Sequence, residues 1–143
     1  MVSVLLNEVV ADMGLALDLD WLFRSFISYL SNRGITPGFN TRNFPYFVRK
    51  FNEWGINLDE TLIVTPFNKA GFQMNPSREE CEKTLITLSS PNVLAISVLA
   101  AGYFKPFEVV DYLAGLDNLK GVIAGVSSEK QALETFKLFR EHV

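Results

Sequence analysis

Cysteine and histidine are almost missing from this chain, with one of each, Cys81 and His142, among 143 residues. A single thiol closes no intramolecular disulfide, and one thiol with one imidazole makes no zinc site of the usual sulfur and nitrogen ligands. The sequence therefore predicts no metal centre and a reducing, cytoplasmic setting. Positive charge is also scarce: 13 Lys and Arg face 16 Asp and Glu, for a formal net charge of −3. Without a clustered basic face, nucleic acid and an anionic membrane are excluded as main partners. No apolar run approaches the roughly 20 residues that span a bilayer. The first residues carry no basic leader and meet Glu8 too early for a signal peptide, so the chain reads as soluble. The first strand is followed by neither a glycine-rich phosphate loop nor a receiver-type acidic pair, and no motif names a reaction or a cofactor.

What is abundant is apolar surface. Hydrophobic residues make up 48% of the chain and charged residues only 20%, ample for one packed domain over residues 1–143. The run Val-Leu-Ala-Ile-Ser-Val-Leu-Ala-Ala-Gly at 93–102 is apolar almost without alternation, as in a strand covered on both faces, with Pro91 and Asn92 before it and Gly102 after it. Further strands are predicted at residues 2–10, 35–39, 62–67 and 121–126.

Amphipathic helices fall between them. One starts near Asp18 or Asp20, with Trp21, Leu22, Phe26, Ile27 and Leu30 inward and Arg33-Gly34 as its stop. The next follows the cap candidates 40–43 and buries Phe44, Phe47, Val48 and Phe51, ending at Gly55. A capping box of Ser77 with Glu80 opens a third, in which Cys81, Leu85 and Leu88 form the stripe. Pro106 opens a fourth, with Phe107, Val110, Leu113 and Ala114 inward and Gly115 as its end. Ser128 with Gln131 opens the last, facing Ala132, Leu133, Phe136 and Phe139 to the core.

Strand starts at 2, 35, 62, 93 and 121 are 33, 27, 31 and 28 residues apart. That spacing matches the roughly 30 residues per unit of eight-unit (βα)8 barrels, and fits an open doubly wound sheet as well. The fold class is α/β with five βα units and parallel strands: a partial TIM-type barrel or, alternatively, a flavodoxin-like open sheet.

In both architectures ligands bind at the C-terminal ends of the strands. Candidates there are Glu8 and Lys69 as catalytic groups. Glu8 stands out because a carboxylate at the end of an apolar strand needs a partner, and Lys69 because a strand-end lysine can form a Schiff base with a carbonyl. Asn40, Asn68, Gly125, Ser127 and Ser128 are candidate substrate contacts. Gly125 followed by two serines and a helix start offers N–H groups, hydroxyls and a positive dipole end to a phosphate, although Ser128 also reads plainly as an N-cap. The aromatic run Phe44, Tyr46, Phe47, Phe51 and Trp54 reads as helix core, and Cys81 as inert packing.

Residues Leu94 to Gly102 with Lys105-Pro106-Phe107-Glu108 resemble the seventh strand and helix of aldo-keto-reductase-like (βα)8 barrels, and Gly125 to Gln131 is similar to the eighth strand and its helix start. Pro37-Gly38-Phe39-Asn40-Thr41 and Thr65-Pro66-Phe67-Asn68 resemble strand-end loops of uncharacterised prokaryotic barrels of that type. The family's catalytic tyrosine, lysine, aspartate and histidine sit on its first four strands, and positions matching them are mostly absent here. The resemblance thus implies a C-terminal barrel portion. Two functions are expected from it: part of an enzyme acting on a small phosphorylated or carbonyl metabolite, or a non-catalytic portion that acts by assembly. Its open edges imply a homo-oligomer or a partner chain that completes the sheet.

Overall fold

The first strand is cut short by its own polar residues. Asn7 accepts a hydrogen bond from the Val9 amide, and Glu8 places a carboxylate at the positive end of a helix dipole, so the β-branched pair Val9-Val10 is drawn into a helix. In this computed structural model, which describes residues 1–90 and 92–143, β1 is Ser3–Leu6 and α1 is Glu8–Ala16. The strand expected over 2–10 is thereby corrected. After α2 (Asp20–Ser31) come β2 (Thr36–Asn40), α3 (Phe44–Trp54), β3 (Leu62–Pro66), α4 (Arg78–Thr87), β4 (Val93–Ile96), α5 (Pro106–Ala114), β5 (Gly121–Val122) and α6 (Glu129–His142).

The five strands form one parallel sheet in the order β1-β2-β3-β4-β5. A doubly wound sheet reverses its strand order at a switch point. This order has no reversal, and the flavodoxin-like alternative is set aside. Consecutive parallel strands joined by right-handed crossovers carry their returning helices on one face, the winding of a βα barrel wall. No closed barrel is formed: among the described residues, β1 and β5 each pair with one neighbour.

Register separates the two faces. Leu6, Phe39, Ile63 and Val93 lie in one row, and Phe39, Ile63 and Val93 are buried in the helix-side core. The Phe39 ring lies 5.3–5.6 Å from the rings of Phe23, Phe26, Phe47 and Phe51. The alternate row of Asn40, Val64, Leu94 and Gly121 faces the other way, together with Leu5, Gly38 and Leu62. Leu5 lies across Gly38, where a Cβ would run into Leu5 Cδ2. Toward the edges of this second face Leu5 and Ile123 are over 40% exposed.

Caps set the helix starts as the sequence indicates. Asn43, Ser77 and Ser128 accept from the amides of Tyr46, Glu80 and Gln131, and Gly55 ends α3 in the left-handed region at φ 69°. Phe44, Phe47 and Phe51 are fully buried, with Cys81 and Leu85 behind them. Several inward assignments are corrected. On α2 the buried stripe runs through Phe23 and Leu30 with Phe26 and Ile27 beside it, which leaves Trp21 exposed. On α5, Val109, Val110 and Leu113 are buried while Phe107 and Ala114 are exposed. On α6, Thr135 and Phe139 are buried while Leu133 and Phe136 are exposed.

The strands expected over 93–102 and 121–126 are also shorter. Ser97, Ala100, Ala101 and Gly102 have φ of 53°, 49°, 57° and 86°, a left-handed succession that no strand follows. The apolar residues there are buried without a ladder, Val98 being 1% exposed, and the turn closes through Ala100 N to Ser97 O and Phe104 N to Leu99 O. β5 pairs only Gly121 and Val122 with Leu94 and Ala95. Pro91, read from sequence as a strand boundary, lies outside the described residues.

Candidate functional site

Two groups of residues occupy the C-terminal rim of the sheet. The first joins α1 to the end of β2. Asp12 Oδ1 accepts from the Thr41 hydroxyl at 2.5 Å and Oδ2 from the Arg42 amide at 3.0 Å, while Thr41 Oγ1 accepts from the Asn43 amide at 3.1 Å. Thr41 is fully buried, so this chain of bonds fixes where the β2 loop turns into α3. One turn earlier on α1, Glu8 accepts from Asn40 Nδ2 at 3.3 Å and from Arg42 Nη2 at 3.4 Å. The Glu8–Arg42 pair is half open to water, where such pairs contribute about 1 kcal/mol or less. Asn40 Oδ1 is buried and has no hydrogen-bond partner among the described residues.

The second feature is a cleft of about 610 Å³ beyond the ends of β4 and β5. Its walls are mostly apolar, including Phe72, Ile96 and Leu99, with the polar side chains of Ser97, Gln73 and Gln131 among them and no charged residue in its lining. Gly125 forms part of the wall. Ser97 holds its left-handed φ at the mouth of β4 although it has a Cβ, the kind of local strain that accumulates at binding sites.

No family model, curated protein or solved structure matches the chain. None of the three bears on the expected likeness to aldo-keto-reductase-like barrels.

The residues expected from sequence fall into separate places. Glu8 and Asn40 come together, but Glu8 sits in the first turn of α1, not at the end of a strand. Asn68 is fully buried and bonded twice to the main chain of Phe72 at 2.8 Å, which folds its own loop. Lys69 Nζ donates to the Glu108 carbonyl at 2.9 Å, the ordinary setting of a surface lysine, with the Phe104 ring 5.7 Å away. Ser128 caps α6. The amide and hydroxyl of Ser127 both donate to Gln131 Oε1, at 2.7 and 2.8 Å. An anion at this helix start would have to displace the Gln131 side chain.

Asp12 was not among the sequence candidates. Its signal is the Glu8–Asp12 spacing of four, one face of a helix, visible only once residues 8–16 are read as helical. Elsewhere, burial holds the Cys81 thiol up at about 12, with Glu82 and Glu80 adding to the effect. Burial also raises Tyr112, whose hydroxyl donates to Glu82 at 2.9 Å. The hydrogen bonds from Lys50 and Trp54 hold the Asp18 carboxyl below the usual range. No three His, Cys, Asp or Glu side chains gather into a metal-binding group among the described residues, and no helix there is long and apolar enough to cross a membrane.

Proposed function

We propose that the chain supplies five consecutive βα units of a barrel-type binding site for a small metabolite carrying a carbonyl or an anionic group. The observation that carries this reading is the cleft of about 610 Å³ at the C-terminal ends of β4 and β5, the end at which parallel α/β sheets take their ligands. An apolar wall with one hydroxyl and two amides suits a compact ligand with a polar edge. Arg42, on the same rim but outside the cleft and paired with Glu8, is a cation that a larger anionic ligand could reach. Glu8, held by Asn40 and Arg42 outside that cleft, is the acid group this reading would give a role in the chemistry.

The test is a two-dimensional amide NMR titration with pyruvate and, separately, inorganic phosphate. With pyruvate, shifts confined to Ser97, Gly125 and Gln131, with or without Asn40 and Arg42, are the expected result. For phosphate the responding segment is Ser127 to Gln131. No shift at any rim residue with either compound overturns the reading.

A second reading, a barrel portion that works through assembly, is favoured by a different observation. Among the described residues β1 and β5 each lack a second strand neighbour, and Leu5 and Ile123 stand partly exposed beside those edges. Unpaired edges of a parallel sheet are templates for another chain.

A further inference from the structure

Hydrogen bonding in the turn after β4 is one-sided. The carbonyl of Ile96 accepts from the Phe67 amide, that of Ser97 from Ala100, that of Leu99 from both Gly102 and Phe104, and that of Ala100 from Tyr103, at 2.9–3.2 Å. The amides of Ser97, Val98 and Leu99, which lie past the end of β4, donate to no main-chain carbonyl among the described residues. The turn thus uses its acceptors and keeps three consecutive donors. Buried N–H groups are nearly always paired, and Val98 is only 1% exposed. An acceptor from outside the chain, water or ligand, completes such a set.

These three residues are also consecutive in the wall of the cleft beyond β4 and β5. The Val98 side chain belongs to the hydrophobic core, and the left-handed Ser97 turns the main chain out of the ladder just before it. Across the cleft, Gln131 Oε1 is engaged by the amide and hydroxyl of Ser127, which leaves Nε2 as the end able to meet a ligand. That is a further donor. The lining carries no charged residue, and a full charge brought out of water without a counter-charge is costly. Donors without a cation suit an oxygen that carries a partial charge, and Phe72 and Leu99 offer apolar wall to the rest of the molecule.

We infer that the main-chain N–H groups of Ser97, Val98 and Leu99 cradle the oxygen of an uncharged carbonyl compound with an apolar body. This names the ligand class of the cleft and rests on the reading of that cleft as a binding site. Hydrogen-bond donors placed around one carbonyl oxygen polarise it and stabilise negative charge that develops there, so the same three groups would favour attack at the carbonyl carbon.

Amide NMR titrations of the full chain test this with acetophenone, with ethylbenzene, which has the same ring and no carbonyl, and with benzoate, its anionic counterpart. Acetophenone should move the amide protons of Ser97, Val98 and Leu99 downfield, as a new acceptor does. Ethylbenzene should perturb Phe72 and leave those three amides in place. Benzoate should bind at least about tenfold more weakly than the ketone. Ser97→Gly removes the hydroxyl, keeps the amide and accepts a left-handed φ, so it should retain all three downfield shifts. Their loss in the folded variant assigns the contact to the hydroxyl and overturns the inference. So do equal amide shifts with ethylbenzene, tighter binding of benzoate, or a rim that answers pyruvate or phosphate but not acetophenone. No response at the rim to acetophenone, pyruvate or phosphate overturns the binding reading of the cleft and this inference with it.

Discussion

Removing the Asp12 carboxylate unfastens α1 from the turn between β2 and α3, and the cost can be worked out bond by bond. In Asp12→Ala the fully buried Thr41 hydroxyl loses its acceptor, at about 2 kcal/mol for an orphaned buried donor that had been bonded to a charge. The Arg42 amide also loses its acceptor, but it lies at the surface where water can replace the carboxylate, so about 1 kcal/mol is expected. The total of about 3 kcal/mol, with an m-value of about 2 kcal/mol/M, moves the urea midpoint down by about 1.5 M. Asp12→Asn keeps the shape and one acceptor and should lose about half as much. The decisive measurement is the cycle with Thr41→Val. The two residues share one bond, so the double variant should be more stable than the summed single losses predict, by about 1–2 kcal/mol. Far-ultraviolet circular dichroism against urea measures all four proteins. A midpoint shift below about 0.5 M for Asp12→Ala, or strict additivity in the cycle, refutes the reasoning.

Phe39→Ala empties the centre of a cluster of four other rings and should cost about 3–5 kcal/mol by the same urea assay. Exposed Trp21→Ala should cost less than about 1 kcal/mol, so similar losses at the two positions would show that the core is wrongly placed. Stability should fall as pH rises above 9. Cys81, at about 12 in the folded chain against 9.0 ordinarily, and Tyr112, also raised, both keep their protons when folded and release them earlier when unfolded. Urea midpoints between pH 8 and 11 measure this, and a flat or rising profile contradicts it. In the same experiment Cys81 should resist alkylation until the chain unfolds.

The helix starts were the most legible part of the sequence, because a cap is a local event. Ser77 and Ser128 need only the amide three residues on, and the structure uses both. The α3 stripe was equally readable, since Phe44, Phe47 and Phe51 recur at a period that only a helix satisfies. Strand ends were not legible. Between Ser97 and Gly102 hydrophobicity reports burial correctly, as Val98 and Ala100 show, but burial can be met in a turn as well as in a ladder. Val9-Val10 misled for the complementary reason: two β-branched side chains were outweighed by one Asn7 cap. The rim was half visible. Glu8 and Asn40 lie 32 residues apart and meet only because β1 and β2 are neighbours, whereas Ser127 and Asn68 have the right chemistry but spend it on their own loops.

Strand order has a kinetic consequence. Ser3 pairs with Thr36 and Val64 with Leu94, so each strand finds its partner across one intervening unit and never across the whole chain. Closing a loop of that length costs about 3 kcal/mol in chain entropy, and the cost recurs in similar instalments as each unit is added. Assembly can therefore begin at the ring cluster between β2 and α3 and spread outward in both directions, like a zip with two sliders. The two-residue β5 is then the last tooth to close and the first to open.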